Sequence, residues 1–477
     1  MVMNEPCNGS DRRQTVVVVG NGMVGLRFCE KLVAFDAARR YRIVTFCEEP
    51  RAAYDRVGLT SFFAHRDAEK LMLARLDWYR ENEIELHIGD RANAIDRSRR
   101  LVRSDKGVEI AYDRVVLATG SFPFVPPVPG VDKRGVFVYR TIEDLQRIIE
   151  FAAQSRRCAV IGGGLLGLEA AKAAFDLGLE THVVEFAPRL MPRQIDDAGS
   201  RILVQKIAAL GVRVHLGKST KEIQGNGRVE RLEFSDGEAL DVDMIIISAG
   251  IRPRDDLARQ CGLAVGPRGG IQVDDYLQTT DPDIYAIGEC ALHNGLVYGL
   301  VAPGYEMAET VAWNLTHAPS LSASPARLPQ PEGGTQSAGD GGNNGAGSLR
   351  TFRGTDLSTK LKLMGVDVAS FGDYEAPPDR ATPLSFEDPF AGVYKKLLFS
   401  KDGQRLLGGI LVGDASEYGA LLMLAKSGSP LPCRPQELIV GSRAGAPAVG
   451  LDAMPDAAQV CSCNNVSKGA ICTAIRE

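Results

Sequence analysis

Val16-Val-Val-Val-Gly-Asn-Gly-Met-Val-Gly25 is the stretch on which the fold turns. Four β-branched valines in succession read as a strand buried on both faces, and Arg27 to Phe35 repeats its apolar positions at helical spacing. Between them lies a Gly-x-Gly-x-x-Gly turn, the pattern that lets a backbone wrap a dinucleotide. Gly20 makes the tight turn, Gly22 leaves room for a pyrophosphate, and Gly25 allows helix and strand to pack closely. Asn21, Met23 and Val24 complete the loop. A second strand, Tyr41 to Phe46, runs to Glu48, 23 residues beyond Gly25, where a carboxylate suits a pair of ribose hydroxyls.

The same pattern returns in Cys158-Ala-Val-Ile-Gly-Gly-Gly-Leu-Leu-Gly167, with Gly162, Gly164 and Gly167 as its glycines. Leu168 to Leu177 reads as the following helix, and the strand Thr181 to Val184 ends at Glu185, 18 residues past Gly167. That carboxylate pairs with a free 2′-hydroxyl and repels a 2′-phosphate, so NADH is expected over NADPH, with Arg189 and Arg193 nearby to soften the choice. Between the two fingerprints, Tyr112 to Gly120 is a strand that stops in the small-residue turn Ala118-Thr119-Gly120 and runs into four prolines, the mark of a crossing between domains. A second such turn closes at Gly250, followed by Arg252 and Arg254. Thr279 to Glu289 then reads as a strand delivering Gly288 and the acid Glu289 at its carboxyl end. The loop after Glu48 carries Tyr54 and Arg56, placed to face phosphates or a ring system, whereas His87 falls on a strand's surface.

Composition limits the rest. The chain has 477 residues, 44% of them hydrophobic, and a net charge of −5 without a long basic run, which argues against nucleic acid as a partner. Met1 to Arg13 lack a signal-peptide core, and no 18-residue apolar run suits a bilayer, so a cytoplasmic protein is expected. Ten cysteines are too few for a disulfide scaffold. Seven are scattered singly and read as small buried hydrophobes.

From Ala318 to Ser348 the sequence is nearly all Pro, Ser, Ala, Gly, Gln and Asn, and is expected to be a disordered linker. Lys360 to Val368 alternates like one half-buried strand; with Val393 to Phe399, Arg405 to Val412 and the helical Glu417 to Lys426 it makes a small α+β domain. Lys360, Lys362, Lys395 and Lys396 read as its solvated face.

In their order these motifs resemble the two-dinucleotide-fold flavoprotein disulfide reductase superfamily, over about Thr15 to Leu315. The resemblance implies an α/β fold with two Rossmann-like domains, the second inserted in the first. FAD would lie in residues 14–122 and 246–317, NADH in 123–245. A disordered 1–13, a linker at 318–350, an interface domain at 351–450, often a dimer-forming element, and an incomplete iron-sulfur domain at 456–477 complete the expected organisation. The FAD contacts would come from Gly20 to Gly25, Glu48, Arg56, Ala118 to Gly120, Gly288 and Glu289, the NADH contacts from Gly162, Gly164, Gly167 and Glu185, with Gly250, at the turn that closes the second unit, as a further cofactor-binding residue. Glu169 matches the acid near the nicotinamide and is the catalytic candidate. No cysteine lies between Glu48 and Asp77, so a thiol mechanism is not expected, and Ser61 stands where relatives often place a lysine facing that acid.

Longer runs, among them Tyr139 to Asp144, Glu185 to Pro188, Gly250 to Arg254 and Gly299 to Tyr305, resemble the family of large subunits of bacterial NAD(P)H-dependent nitrite reductases. In that family Val460-Cys-Ser-Cys463 opens a [2Fe-2S] domain of the bacterioferritin-associated ferredoxin type, with Cys461 and Cys463 as two of four ligands. The resemblance implies that the chain is truncated within this domain, so that the [2Fe-2S] centre, sirohaem and its [4Fe-4S] partner belong to the complete protein or a small subunit. Two alternatives share the front half: an electron-transfer subunit of an assimilatory nitrate reductase, and a flavin-binding redox sensor or interaction protein.

Overall fold

The computed structural model describes residues 12–317, 348–440, 456, 459–461 and 466–476. Residues 1–11, 318–347 and 441–455, with Cys7 and Cys463, lie outside the described residues. The chain forms two compact units: Met1–Arg56, Glu69–Phe122 and Arg252–Thr355 in the first, Val57–Ala68, Pro123–Ile251 and Asp356–Glu477 in the second.

The first unit is built on a five-stranded parallel sheet in the order Ile284–Ala286, Arg114–Leu117, Gln14–Val19, Tyr41–Cys47 and Glu85–Ile88. The valine strand is central, and Val16, Val17 and Val18 are wholly buried, as a strand covered on both faces requires. Its helix, Met23–Phe35, starts four residues before the apolar period becomes visible, because the turn itself supplies the first helical turn. Trp78 and Tyr79 sit on the short helix Leu76–Glu81, and His87 stacks on Phe46 at 4.9 Å between ring centres.

The second unit repeats the plan. Its parallel sheet runs Arg213–His215, Glu180–Val184, Arg157–Ile161, Met244–Ile247 and Val136–Val138. A capping box starts the Ile142–Ala152 helix, with Thr141 accepting from the Asp144 amide and Asp144 from the Thr141 amide. The second unit also holds the small domain after the linker, the third domain in chain order, a five-stranded antiparallel sheet in the order Thr359–Leu363, Val366–Gly372, Leu406–Val412, Val393–Ser400 and Ala381–Asp388.

Two expectations change here. The single strand Lys360 to Val368 is a hairpin, because Met364 and Gly365 both take positive φ (51° and 85°) and turn the chain back. Lys395 and Lys396 are not a solvated face: Lys395 is 11% exposed and reaches Asp414 and Glu417, and Lys396 reaches Asp196 at 3.1 Å. Of the scattered cysteines, Cys29, Cys47, Cys158 and Cys290 are buried, whereas Cys261 and Cys433 are only partly so. Among the described residues no helix is long and apolar enough to cross a membrane.

Candidate functional site

Each unit carries one glycine cradle, and the two match atom for atom in their constraints. A Cβ on Gly20 (φ 109°) would lie 2.3 Å from the Ala118 carbonyl oxygen; on Gly162 (φ 121°) it would lie 2.2 Å from that of Ser248. Such positions admit only glycine. Gly25 and Gly167 sit against the carbonyls of Gly20 and Gly162, where a Cβ would approach to 2.0 and 1.9 Å. Gly22 and Gly164 have nothing within 4 Å of theirs. Both are also N-cap residues without a side-chain cap, so no capping side chain occupies the first amides of the helices Met23–Phe35 and Leu165–Asp176. Uncapped amides beside a cradle are what a pyrophosphate needs, so the residues fit a dinucleotide in each unit.

In the first unit, Ala118 donates its amide to Val19, and the Thr119 hydroxyl donates to the Arg254 carbonyl at 2.6 Å, tying the small-residue turn to the returning chain. Gly120 takes a positive φ of 68°. The Arg254 guanidinium pairs with Glu48, and a pocket of about 60 Å³ opens between Gly20, Phe46, Glu48, Ala92, Arg254 and Leu257. Asn21 is buried, its amide bonded to the Tyr79 hydroxyl at 3.1 Å, so it shapes the loop from behind. Met23 is buried and Val24 packs against Gly288 and Gly304. Glu289 lies in the short turn Gly288–Cys290 and accepts from the Ser121 hydroxyl at 2.7 Å. Arg56 is held by Glu49 and by the Tyr54 hydroxyl, and Tyr54 is buried rather than facing outward. Spacing marks Arg254 only as a cation after the Gly250 turn and does not mark Ser121 at all, since each meets its partner, Glu48 and Glu289, only across more than a hundred residues of chain.

In the second unit, the Glu185 carboxylate is fixed at both oxygens. One accepts from the Gly163 amide at 2.5 Å, the other from the Ala187 amide at 2.7 Å. Each oxygen keeps a lone pair for a further donor. Next to it Phe186 exposes 76% of its surface, unusual for a phenylalanine. Arg189 donates to Asp197 at 2.9 Å and to the Pro192 carbonyl. Gly250 has a positive φ of 111° and open space around it, and its carbonyl accepts from the Phe124 amide. Glu169 is partly buried on the Leu165–Asp176 helix and makes no hydrogen bond or ion pair among the described residues; burial pushes its carboxyl up to about 7.

Cys461 ends the strand Gln459–Cys461, and Cys463 lies outside the described residues, so the proposed ligand pair has no geometry here. Among the described residues, no three His, Cys, Asp or Glu side chains gather as a metal site. Burial pushes the Cys47 thiol up to about 12, which leaves it a poor nucleophile.

Residues 14–314 match the family model described as pyridine nucleotide-disulphide oxidoreductase, and residues 358–429 match the rubredoxin NAD+ reductase C-terminal domain. The large subunit of nitrite reductase [NAD(P)H] from Klebsiella oxytoca is 50% identical over 97% of this chain and 46% of its own length. The nitrite reductase (NADH) large subunit of Escherichia coli K12 is 46% identical over 97% of this chain and 52% of its own. The chain thus spans about half the length of these curated relatives. Among solved structures, the ferredoxin reductase for the CYP199A2 system of Rhodopseudomonas palustris superposes with a TM-score of 0.71 at 26% identity, covering 85% of this chain and 93% of that one.

Proposed function

The chain belongs to the pyridine nucleotide-disulphide oxidoreductase family, and from that premise we propose that it is the electron-input module of an NADH-dependent nitrite reductase. The observation that carries this reading is the pair of glycine cradles, one in each unit, each closed by its own acid. FAD in the first cradle supplies the conversion of a two-electron hydride donor into one-electron steps.

The protein's own groups bind and orient. Uncapped amides after Gly22 and Gly164 hold the two pyrophosphates. Glu48, neutralised by Arg254, takes the flavin-side ribose, while Glu289 and Ser121 face the ribityl side. Glu185, already steadied by two amides, accepts both ribose hydroxyls of NADH and repels a 2′-phosphate. Arg189, engaged by Asp197, is drawn away from any such phosphate. Phe186 offers a flat apolar face that a purine ring would cover. Glu169, unpaired and near neutral pH in its titration, is suited to hold or release a proton beside the nicotinamide. In the complete protein Cys461 and Cys463 would supply two of the four thiolates of a [2Fe-2S] centre, whose chemistry would be one-electron transfer toward a sirohaem domain or small subunit that reduces nitrite to ammonia, in the cytoplasm where NADH is supplied.

A one-electron acceptor tests this role without the downstream centres. The purified chain, loaded with FAD, is expected to reduce ferricyanide with NADH at on the order of 10 s⁻¹ or faster, and to prefer NADH over NADPH by about tenfold or more. Absence of NADH-dependent ferricyanide reduction by FAD-loaded protein would rule the electron-input role out.

A further inference from the structure

The nucleotide-choosing acid Glu185 opens a loop, residues 185–196, whose far end is held by the third domain. The loop is threaded under the second glycine cradle. The Met191 amide donates to the Gly163 carbonyl at 3.0 Å, the Leu190 amide to the Ser200 hydroxyl at 2.9 Å, and Leu190 and Met191 are wholly buried. Met191 takes a positive φ of 50°, a conformation that a bulky side chain keeps only where its surroundings impose it. A Cβ on Gly163 would lie 2.5 Å from Leu190 and 3.0 Å from Glu185, so the loop's buried middle and its acid press on the same glycine. A shift of the loop therefore moves the carboxylate.

What fixes the loop's end comes from some 180 residues or more further along the chain. Asp196 caps the Asp197–Ala209 helix by accepting from the Gly199 amide at 3.1 Å. It also accepts from the Tyr394 hydroxyl at 2.8 Å and from the Lys396 ammonium at 3.1 Å. Burial alone would raise the Asp196 carboxyl; the Gly199 amide, Tyr394 and Lys396 together hold it below the usual carboxylate range. Three residues earlier the Tyr374 hydroxyl donates to the Arg193 carbonyl at 2.6 Å. Packing agrees with the bonding, since a Cβ on Gly199 would lie 3.1 Å from Val412 and 3.3 Å from Tyr394. Tyr374, Tyr394 and Lys396 all come from the small antiparallel domain, which by itself carries no cofactor motif.

We propose that this third domain is a positioning element for the nucleotide site, with Tyr394, Lys396 and Tyr374 fixing the end of the 185–196 loop and so setting the place of Glu185 and the preference for NADH. The proposal rests on the assignment of NADH to the Gly162–Gly167 cradle. The hydrogen bonds of the three residues to this loop end on Asp196 and on the Arg193 carbonyl, not on Glu185. They act through the loop, so their removal weakens ground-state binding and leaves the reaction at the flavin intact.

The test is a double-mutant cycle on FAD-loaded full chain, read as KM and kcat for NADH and NADPH with ferricyanide. Tyr394→Phe removes one hydroxyl and keeps the ring; it is expected to raise KM for NADH about threefold to tenfold with kcat within about twofold, and to narrow the NADH to NADPH ratio. Lys396→Met and Tyr374→Phe are expected to move the same quantities in the same direction. On a Glu185→Ala background Tyr394→Phe is expected to add less than about twofold, because the acid it positions is gone. An unchanged KM in all three folded variants, or an equal effect of Tyr394→Phe with and without Glu185, would overturn the proposal. Failure of the unmodified chain to oxidise NADH would instead count against the cradle assignment beneath it.

Discussion

Gly20→Ala is expected to give a protein that cannot keep its flavin, whereas Gly162→Ala is expected to keep the flavin and lose NADH. At both positions the backbone holds φ above 100°, and the new Cβ would come to 2.3 or 2.2 Å from a carbonyl oxygen of the adjoining turn. The obstacle is backbone, not a side-chain tip, so it cannot swing aside. Conformational strain at such a position costs about 1–3 kcal/mol before the clash is counted. Relief by widening the cradle takes the helix amides from the phosphates, and about 3 kcal/mol corresponds to a loss of roughly 100-fold in affinity. Gly20→Ala should therefore fall from near-stoichiometric flavin to about a tenth or less after gel filtration. Gly162→Ala should stay yellow while KM for NADH rises by about 100-fold. Equal flavin loss in both variants would contradict separate sites.

The second large effect concerns Glu169. Burial lifts its carboxyl from the ordinary 4.5 to about 7, and no cation or hydrogen-bond donor among the described residues offsets it. The folded protein then holds a proton that the unfolded chain has released, so stability falls as pH rises from about 4.5 to about 7 and is level above that. The whole difference is at most about 3 kcal/mol, reduced by the carboxyl's partial exposure. Glu169→Gln has no charge to bury. Its urea midpoint should equal that of the unmodified chain near pH 4.5 and exceed it at pH 8, in an otherwise unchanged pH profile. The same substitution should remove an inflection near pH 7 from the rate of NADH oxidation, if the group passes a proton beside the nicotinamide. A urea midpoint that changes with pH equally in both proteins would show that Glu169 does not bear the proton.

Both cradles were legible in the sequence because their signal is local: strand, glycines, helix and acid lie within about 35 residues. Glu48 and Glu185 follow from spacing alone. The rest depends on contacts that spacing cannot express. Arg254 finds Glu48 across 206 residues, and Lys396 finds Asp196 across 200. A lysine followed by a lysine on an alternating strand looks solvated until those partners arrive. The Met364-Gly365 turn escaped for a different reason, since alternation continues through it and only the positive φ of both residues marks the reversal. The segment Val57–Ala68, continuous in sequence with the first unit, groups with the second through contacts such as Thr60 to Tyr139 at 3.0 Å and the stacking of Phe63 on Tyr139.

Anaerobic titration of the FAD-loaded chain with NADH, followed by visible absorbance, tests the two-cradle electron path most directly. The expected result is loss of the flavin band within seconds and completion near one NADH per chain, with NADPH far slower at equal concentration. A flavin band that persists through several equivalents of NADH would contradict it.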